Sequence, residues 1–230
     1  LLSKLGKIAT SLVNKPLKNI AVEKIARYDT SPEAKSIRFA VDTAIQDCIG
    51  NAENRPIAKL LGGVVRPIEV NAIIGSIQPK EIANLAEDAV SKGFRTLKFK
   101  VGAQSLEKDE ENLKQLRDII GPNRHIRIDA NGAWSEDIAL KATHRFAKYD
   151  IEYIEDPLAL PTIPTLAKLK KESPIPIAVD DLITDLGSSR ALIEGSAADV
   201  FIIKPSRIGS FNDVLAIAKF TRTQGLKLVV

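Results

Sequence analysis

The chain has 230 residues, 44% of them hydrophobic and 27% charged, which supplies a large core and is too little charge excess for global disorder. Its formal net charge of +4 is mixed along the whole length, and aromatic residues make up only 5%, so a basic stripe and a stacking platform for nucleic acid are both lacking. No apolar run approaches the ~18 residues of a membrane span, stretch 1–17 carries lysines where a signal peptide needs a continuous apolar core, and the single cysteine, Cys48, suits a reducing cytoplasm.

The sequence contains no methionine, not even at position 1, which points to a piece of a longer protein or a processed one. The first clear element is a helix over Pro32–Gly50, where Ile37, Ala40, Val41, Ala44, Ile45 and Cys48 recur at helical spacing. That spacing puts Cys48 on the buried apolar face. A short helix, Ile57–Leu61, follows and is ended by Gly62-Gly63. From about residue 68, short β-rich runs alternate with amphipathic helices. The predicted strands are Ile68–Ile74, Thr96–Val101, Ile126–Ala130, Glu152–Glu155, Ile177–Val179, Val200–Ile203 and Leu226–Val230. Helices are predicted between them over Pro79–Lys92, Ser105–Ile120, Ser135–Tyr149, Ile163–Lys171, Asp185–Glu194 and Ser210–Gln224.

This α/β alternation implies parallel strands with crossover helices. An open doubly wound sheet would gather its polar residues at one switch point beside a Gly-rich turn. A TIM-type (β/α) barrel places them at the C-terminal ends of many strands. No G-x-G-x-x-G or P-loop is present, and polar residues end almost every strand, so the barrel is expected. The chain stops on the seventh strand. A barrel lacking its last βα unit keeps an open edge, so the expectation is a truncated barrel.

Charged residues recur in register. Asp129, Glu155, Asp180 and Lys204 end successive strands, with gaps of 26 (129 to 155), 25 (155 to 180) and 24 (180 to 204). One unit earlier stands Lys98-Phe99-Lys100, whose two lysines share a strand face. Three carboxylates converging on a barrel mouth would repel one another, and a hard divalent cation removes the conflict. All-oxygen ligation by Asp129, Glu155 and Asp180 suits Mg²⁺, or Mn²⁺ in its place. Zinc would favour histidine or cysteine, and neither His125 nor His144 lies at the C-terminal end of a strand. A proton next to a carboxylate is removable when a base lies on one face and a cation offsets the developing charge. A lysine becomes such a base when partial burial and neighbouring positive charge, here Lys98 and the metal, lower its pKa. Lys204, across the mouth, is a second base or a cation over a substrate's π-system.

The motifs Lys98-Phe99-Lys100, Asp129-Ala130-Asn131, Ile154-Glu155-Asp156-Pro157, Ala178-Val179-Asp180-Asp181 and Ile203-Lys204-Pro205 resemble the muconate-lactonizing branch of the enolase superfamily. The resemblance runs from about Ser36 to Val230. It implies a modified barrel, Mg²⁺ on Asp129, Glu155 and Asp180, and acid/base lysines at Lys100 and Lys204. It also implies that 1–66 is the remnant of a mainly helical capping domain and 67–230 the barrel domain. Within the branch, Lys204-Pro205-Ser206-Arg207-Ile208-Gly209-Ser210 looks most like the o-succinylbenzoate synthase family of menaquinone biosynthesis, lyases that dehydrate a cyclohexadiene carboxylate through an enediolate. By that analogy Lys100 is base and then acid, Lys204 covers the other face, and Lys98 tunes the base. The implied partner is a small-molecule carboxylate, with neither nucleic acid nor membrane, in a possible homo-oligomer. Asp181 stands where the family often has Glu. Racemisation of N-acylamino acids, epimerisation of dipeptides and cycloisomerisation of muconate use nearly the same lysines, and a catalytically silent barrel is a further alternative.

Overall fold

A computed structural model describes residues 31–230 together with positions 6, 7, 10, 11, 13, 14 and 16. Helix α1 runs over Pro32–Glu53, its first turn capped by the Ser31 side chain and its end turned by Asn54 in the left-handed region at φ 51°. A single turn, α2 (Ile57–Leu60), leads to the first strand. The sheet then builds as β1 (Asn71–Ile74), β2 (Thr96–Lys100), β3 (His125–Asp129), β4 (Ile151–Glu155), β5 (Ile177–Val179), β6 (Val200–Ile202) and β7 (Lys227–Val229). Between the strands lie α3 (Pro79–Ser91), α4 (Leu106–Ile120), α5 (Glu136–Phe146), α6 (Ile163–Glu172), α7 (Leu186–Glu194), the short α8 (Pro205–Ile208) and α9 (Phe211–Thr223).

Every strand pair is parallel and the spatial order is the chain order, β1 to β7, with no reversal. That order excludes a doubly wound sheet, which needs a switch point, and matches the barrel expectation. Strand residues alternate between two destinations. Leu97, Phe99, Ile126, Ile128, Ile154 and Phe201 are fully buried against the helices in one large cluster. Tyr153, Ala178, Val200 and Ile202 form a second, smaller cluster. The interior of the curled sheet is thus filled with side chains and is not a pore.

The predicted elements fall close to those observed, and the differences have local causes. β1 begins at Asn71 and not at Ile68, because its ladder starts opposite Thr96, the first residue of β2. The helix predicted over Ser135–Tyr149 is α5 followed by a separate 3₁₀ turn, Ala147–Tyr149, which Asp150 ends at φ 51°. Cys48 corrects the expectation directly, since it is exposed. On α1 the buried positions are Ala34, Ile37, Asp42, Ile45 and Gly50, so the face turns away from Ala40, Ala44 and Cys48 and admits an aspartate. Among the described residues no helix is long and apolar enough to cross a membrane.

Candidate active site

The inner face of the sheet is polar at three levels. Lowest lies Arg127 on β3, whose guanidinium donates to Glu152 (2.8 Å) and Asn71 (3.2 Å) and stacks over Tyr153 at 5.1 Å from the ring centroid. One level up, the Lys98 ammonium lies 2.8 Å from Asp129 Oδ2 and 2.6 Å from Glu155 Oε2. The register explains this meeting, because Asp129 stands opposite Lys100 on one side and Glu155 on the other. At the mouth, Lys100 Nζ donates to Asn131 Oδ1 (2.8 Å), Lys204 pairs with Asp180, and Arg207 pairs with Asp181.

All six residues singled out from spacing therefore come to the same end of the sheet, but not in one equal cluster. Asp129, Glu155 and Asp180 are each at most 3% exposed. The tight group of carboxylate oxygens, all within 4.8 Å of one another, belongs to Glu155, Asp156 and Asp180. Asp129 is tied to Glu155 through Lys98 instead. Spacing does not single out Asp156, because neighbours on a strand point to opposite faces. Here the chain has already left β4, and Asp156 sits at φ 41° in the left-handed region. Its carboxylate accepts from the backbone N–H of Asp180 (3.0 Å) and Asp181 (3.2 Å), so it sets the turn that carries the third acid. The Glu155-Asp156-Pro157 motif is the one local signal that marks it.

Lys100 is exposed, so the partial burial expected to activate it is not supplied by these residues. Lys98 is the more enclosed of the two lysines. Burial opposes its charge, but hydrogen bonds to Asp129 and Glu155 outweigh this and hold its pKa above the usual lysine value. It is a firm cation spent on two carboxylates. Glu155 is pushed up by burial, against the pull of Lys98. Asp156 is pushed up to about 6 by burial, despite the two amides it accepts from.

A divalent cation fits this donor set. Three carboxylates offer hard oxygens at close range. Asp180 Oδ1 is buried with no hydrogen-bond partner among the described residues and only the Arg207 guanidinium near it, at 3.6 Å, which leaves it free to accept a closer cation. A pocket of about 200 Å³ lined by Asn131, Asp156, Pro157, Val179 and Asp181 adjoins the cluster. A cleft of about 980 Å³ lies outside the sheet between α4 and α5, near Trp134 and His144, and no member of the acidic cluster lines it.

A pH dependence follows from Asp156. A carboxyl whose folded pKa is raised from 3.8 to about 6 binds its proton more tightly folded than unfolded. Stability should therefore fall as pH rises through that window and level off above it. In chelator-treated protein, urea titrations from pH 4 to 7 should show a loss on the order of 2 kcal/mol. Millimolar Mg²⁺ should reduce that loss, and a pH dependence left unchanged by Asp156→Asn would contradict the assignment.

Comparison with known proteins agrees with this fold. Residues 81–230 match a protein family described as enolase C-terminal domain-like. The hydrophobic dipeptide epimerase of Enterococcus faecalis is 30% identical over 209 residues, covering 91% of this chain and 57% of the relative. The o-succinylbenzoate synthase of Thermobifida fusca is 32% identical over 154 residues, covering 66% of this chain and 47% of the relative. The crystal structure of the dipeptide epimerase from Enterococcus faecalis V583 superposes with a TM-score of 0.88 at 28% identity, covering 99% of this chain and 66% of that one. The chain thus spans about half the length of the curated relatives it matches.

Proposed function

Since the chain belongs to the enolase superfamily, we propose that it forms the barrel of a Mg²⁺-dependent enzyme that removes a proton next to a carboxylate, acting as an o-succinylbenzoate synthase. The observation that carries this reading is the placement of Lys100 at the end of β2, opposite Asp129 and two strands from Glu155. A base and an acidic cation site then share one mouth.

Asp129, Glu155 and Asp180 would hold the cation; Glu155 and Asp180 stand in the close acidic group, Asp129 stands beside it and is joined to Glu155 through Lys98, and Asp156 steers Asp180 through its backbone amide. Magnesium bound there supplies positive charge to the substrate's carboxylate as the neighbouring C–H bond breaks. Lys98, neutralising Asp129 and Glu155 from below, keeps the acidic cluster from carrying its full negative charge. Lys100 Nζ, held by Asn131 Oδ1 at 2.8 Å, takes the α-proton. The resulting ammonium returns a proton to the hydroxyl leaving from the same face. Water departs, and the cyclohexadiene becomes an aromatic ring. Lys204 faces the ring's π-system from the opposite side.

A second reading has its own support. Lys100 ends β2 and Lys204 follows β6, four strands away in the sheet, and two lysines on opposite sides suit racemisation or epimerisation. The Enterococcus faecalis relative, whose match covers 91% of this chain, is a dipeptide epimerase. The deciding assay follows Mg²⁺-dependent dehydration of the cyclohexadiene carboxylate optically in the full-length protein. Racemisation of N-succinylamino acids and epimerisation of dipeptides are measured beside it. Dehydration is the expected result. Racemisation or epimerisation without dehydration would move the substrate elsewhere in the branch.

A further inference from the structure

We infer that one face of α1 is a clamp that sets the position of Lys204, with Arg38 as its central positioning residue. Residues 35, 38, 39 and 42 recur at the spacing of one helix face, and each meets the β5–α7 loop or the segment between α8 and the start of α9. Arg38 donates from Nε to Gly209 O (3.0 Å) and from Nη2 to Ile208 O (2.9 Å) and Asp213 Oδ2 (3.0 Å). Asp42, 4% exposed, accepts from the backbone N–H of Phe211 (2.7 Å), the first residue of α9. Phe39 packs its ring on Phe211 with centroids 5.1 Å apart. Lys35 Nζ reaches Thr184 O (2.7 Å), in the loop that begins at Asp180-Asp181. Ser36 adds a longer bond to Ser206 O (3.3 Å).

These bonds bracket the segment from Lys204 to Phe211. Lys204 is the residue from which α8 starts, and Arg38 holds the last carbonyls of that turn. The backbone is shaped for the purpose. Gly209 sits at φ 109°, and a Cβ there would come within 2.6 Å of Arg38 Nη2, so the guanidinium occupies space that only glycine leaves open. A single turn of four residues has little stability of its own. Burial of Ile208 in the main core anchors the far end of the turn, and the Arg38 guanidinium fixes the direction of its last two carbonyls. Because the same face also reaches the Asp180 loop through Lys35, α1 sets the two partners of the Lys204–Asp180 ion pair relative to each other.

The test compares Arg38→Met with Arg117→Met. Arg117 also donates to several backbone carbonyls, those of Tyr149, Gly121 and Arg124, but among elements away from the mouth. In the full-length protein, amine acylation at a single fixed pH is read by peptide mass spectrometry as the ratio of Lys204 to Lys100 labelling. Arg38→Met should raise that ratio by about threefold or more as the turn loosens, and Arg117→Met should leave it unchanged. An unchanged ratio in folded Arg38→Met, or an equal rise in Arg117→Met, would overturn the clamp. If Arg38→Met does not fold, Arg38→Lys decides, because lysine keeps the charge but not the fork. A ratio above the parent's supports the clamp, and the parent's ratio refutes it. Labelling needs no substrate, so it stands whichever reaction the barrel performs. Where turnover is measurable, Arg38→Met should lower kcat about tenfold or more with KM little changed.

Discussion

Lys100→Ala is expected to lower turnover by about 10²–10⁴-fold while Mg²⁺ affinity stays near that of the parent. The separation of the two effects is the informative part. Lys100 bonds to Asn131 and to none of the three buried carboxylates, whereas Lys98 carries the contacts to Asp129 and Glu155. Removing the Lys100 amine therefore takes away the proton acceptor without disturbing the acids. Lys98→Ala should act on the fold instead, leaving buried Asp129 and Glu155 without their ammonium partner and costing stability. Steady-state kinetics beside calorimetric Mg²⁺ titration separates the two. Turnover retained in Lys100→Ala would remove it as the base, and the dehydration mechanism with it.

The second large effect is expected at Asp180. Asp180→Asn should weaken Mg²⁺ binding by about a hundredfold or more, read by titration calorimetry. Asparagine keeps the volume, and the Asp156 contacts to the backbone N–H groups of residues 180 and 181 do not involve the replaced side chain, so the turn should persist. What changes is the charge and the buried Oδ1 that has no hydrogen-bond partner. Lys204 also loses its carboxylate partner, so its amine should become more readily acylated. Unchanged Mg²⁺ affinity would mean that Asp180 is not a ligand and would count against the assignment.

Much of this site is legible in the amino-acid sequence. Regular spacing of charged residues after short apolar runs carries the barrel, because each βα unit has nearly constant length and each strand ends at the same rim. Asp129, Glu155, Asp180, Lys98, Lys100 and Lys204 follow from that alone. Asp156 does not, because a period of two assigns it to the outer face, and only the left-handed backbone at that position turns it back. Arg38 and Asp42 are illegible for another reason. Their partners lie about 170 positions away in sequence, and no local pattern marks a guanidinium that binds backbone carbonyls. The same long-range packing rotates α1, exposing Cys48 and burying Asp42.

By itself the sequence determined the alternation of elements, the parallel sheet and the set of acids and lysines at its C-terminal rim, since strand period, helix period and unit length are local properties of the chain. Only the tertiary structure decided how those groups divide their contacts. Lys98 is committed to Asp129 and Glu155, Lys100 is left to Asn131, and Asp156 joins the acidic cluster. The physical reason is that strand register and loop backbone set distances to within an ångström, and charge pairing depends on those distances as no one-dimensional spacing can convey.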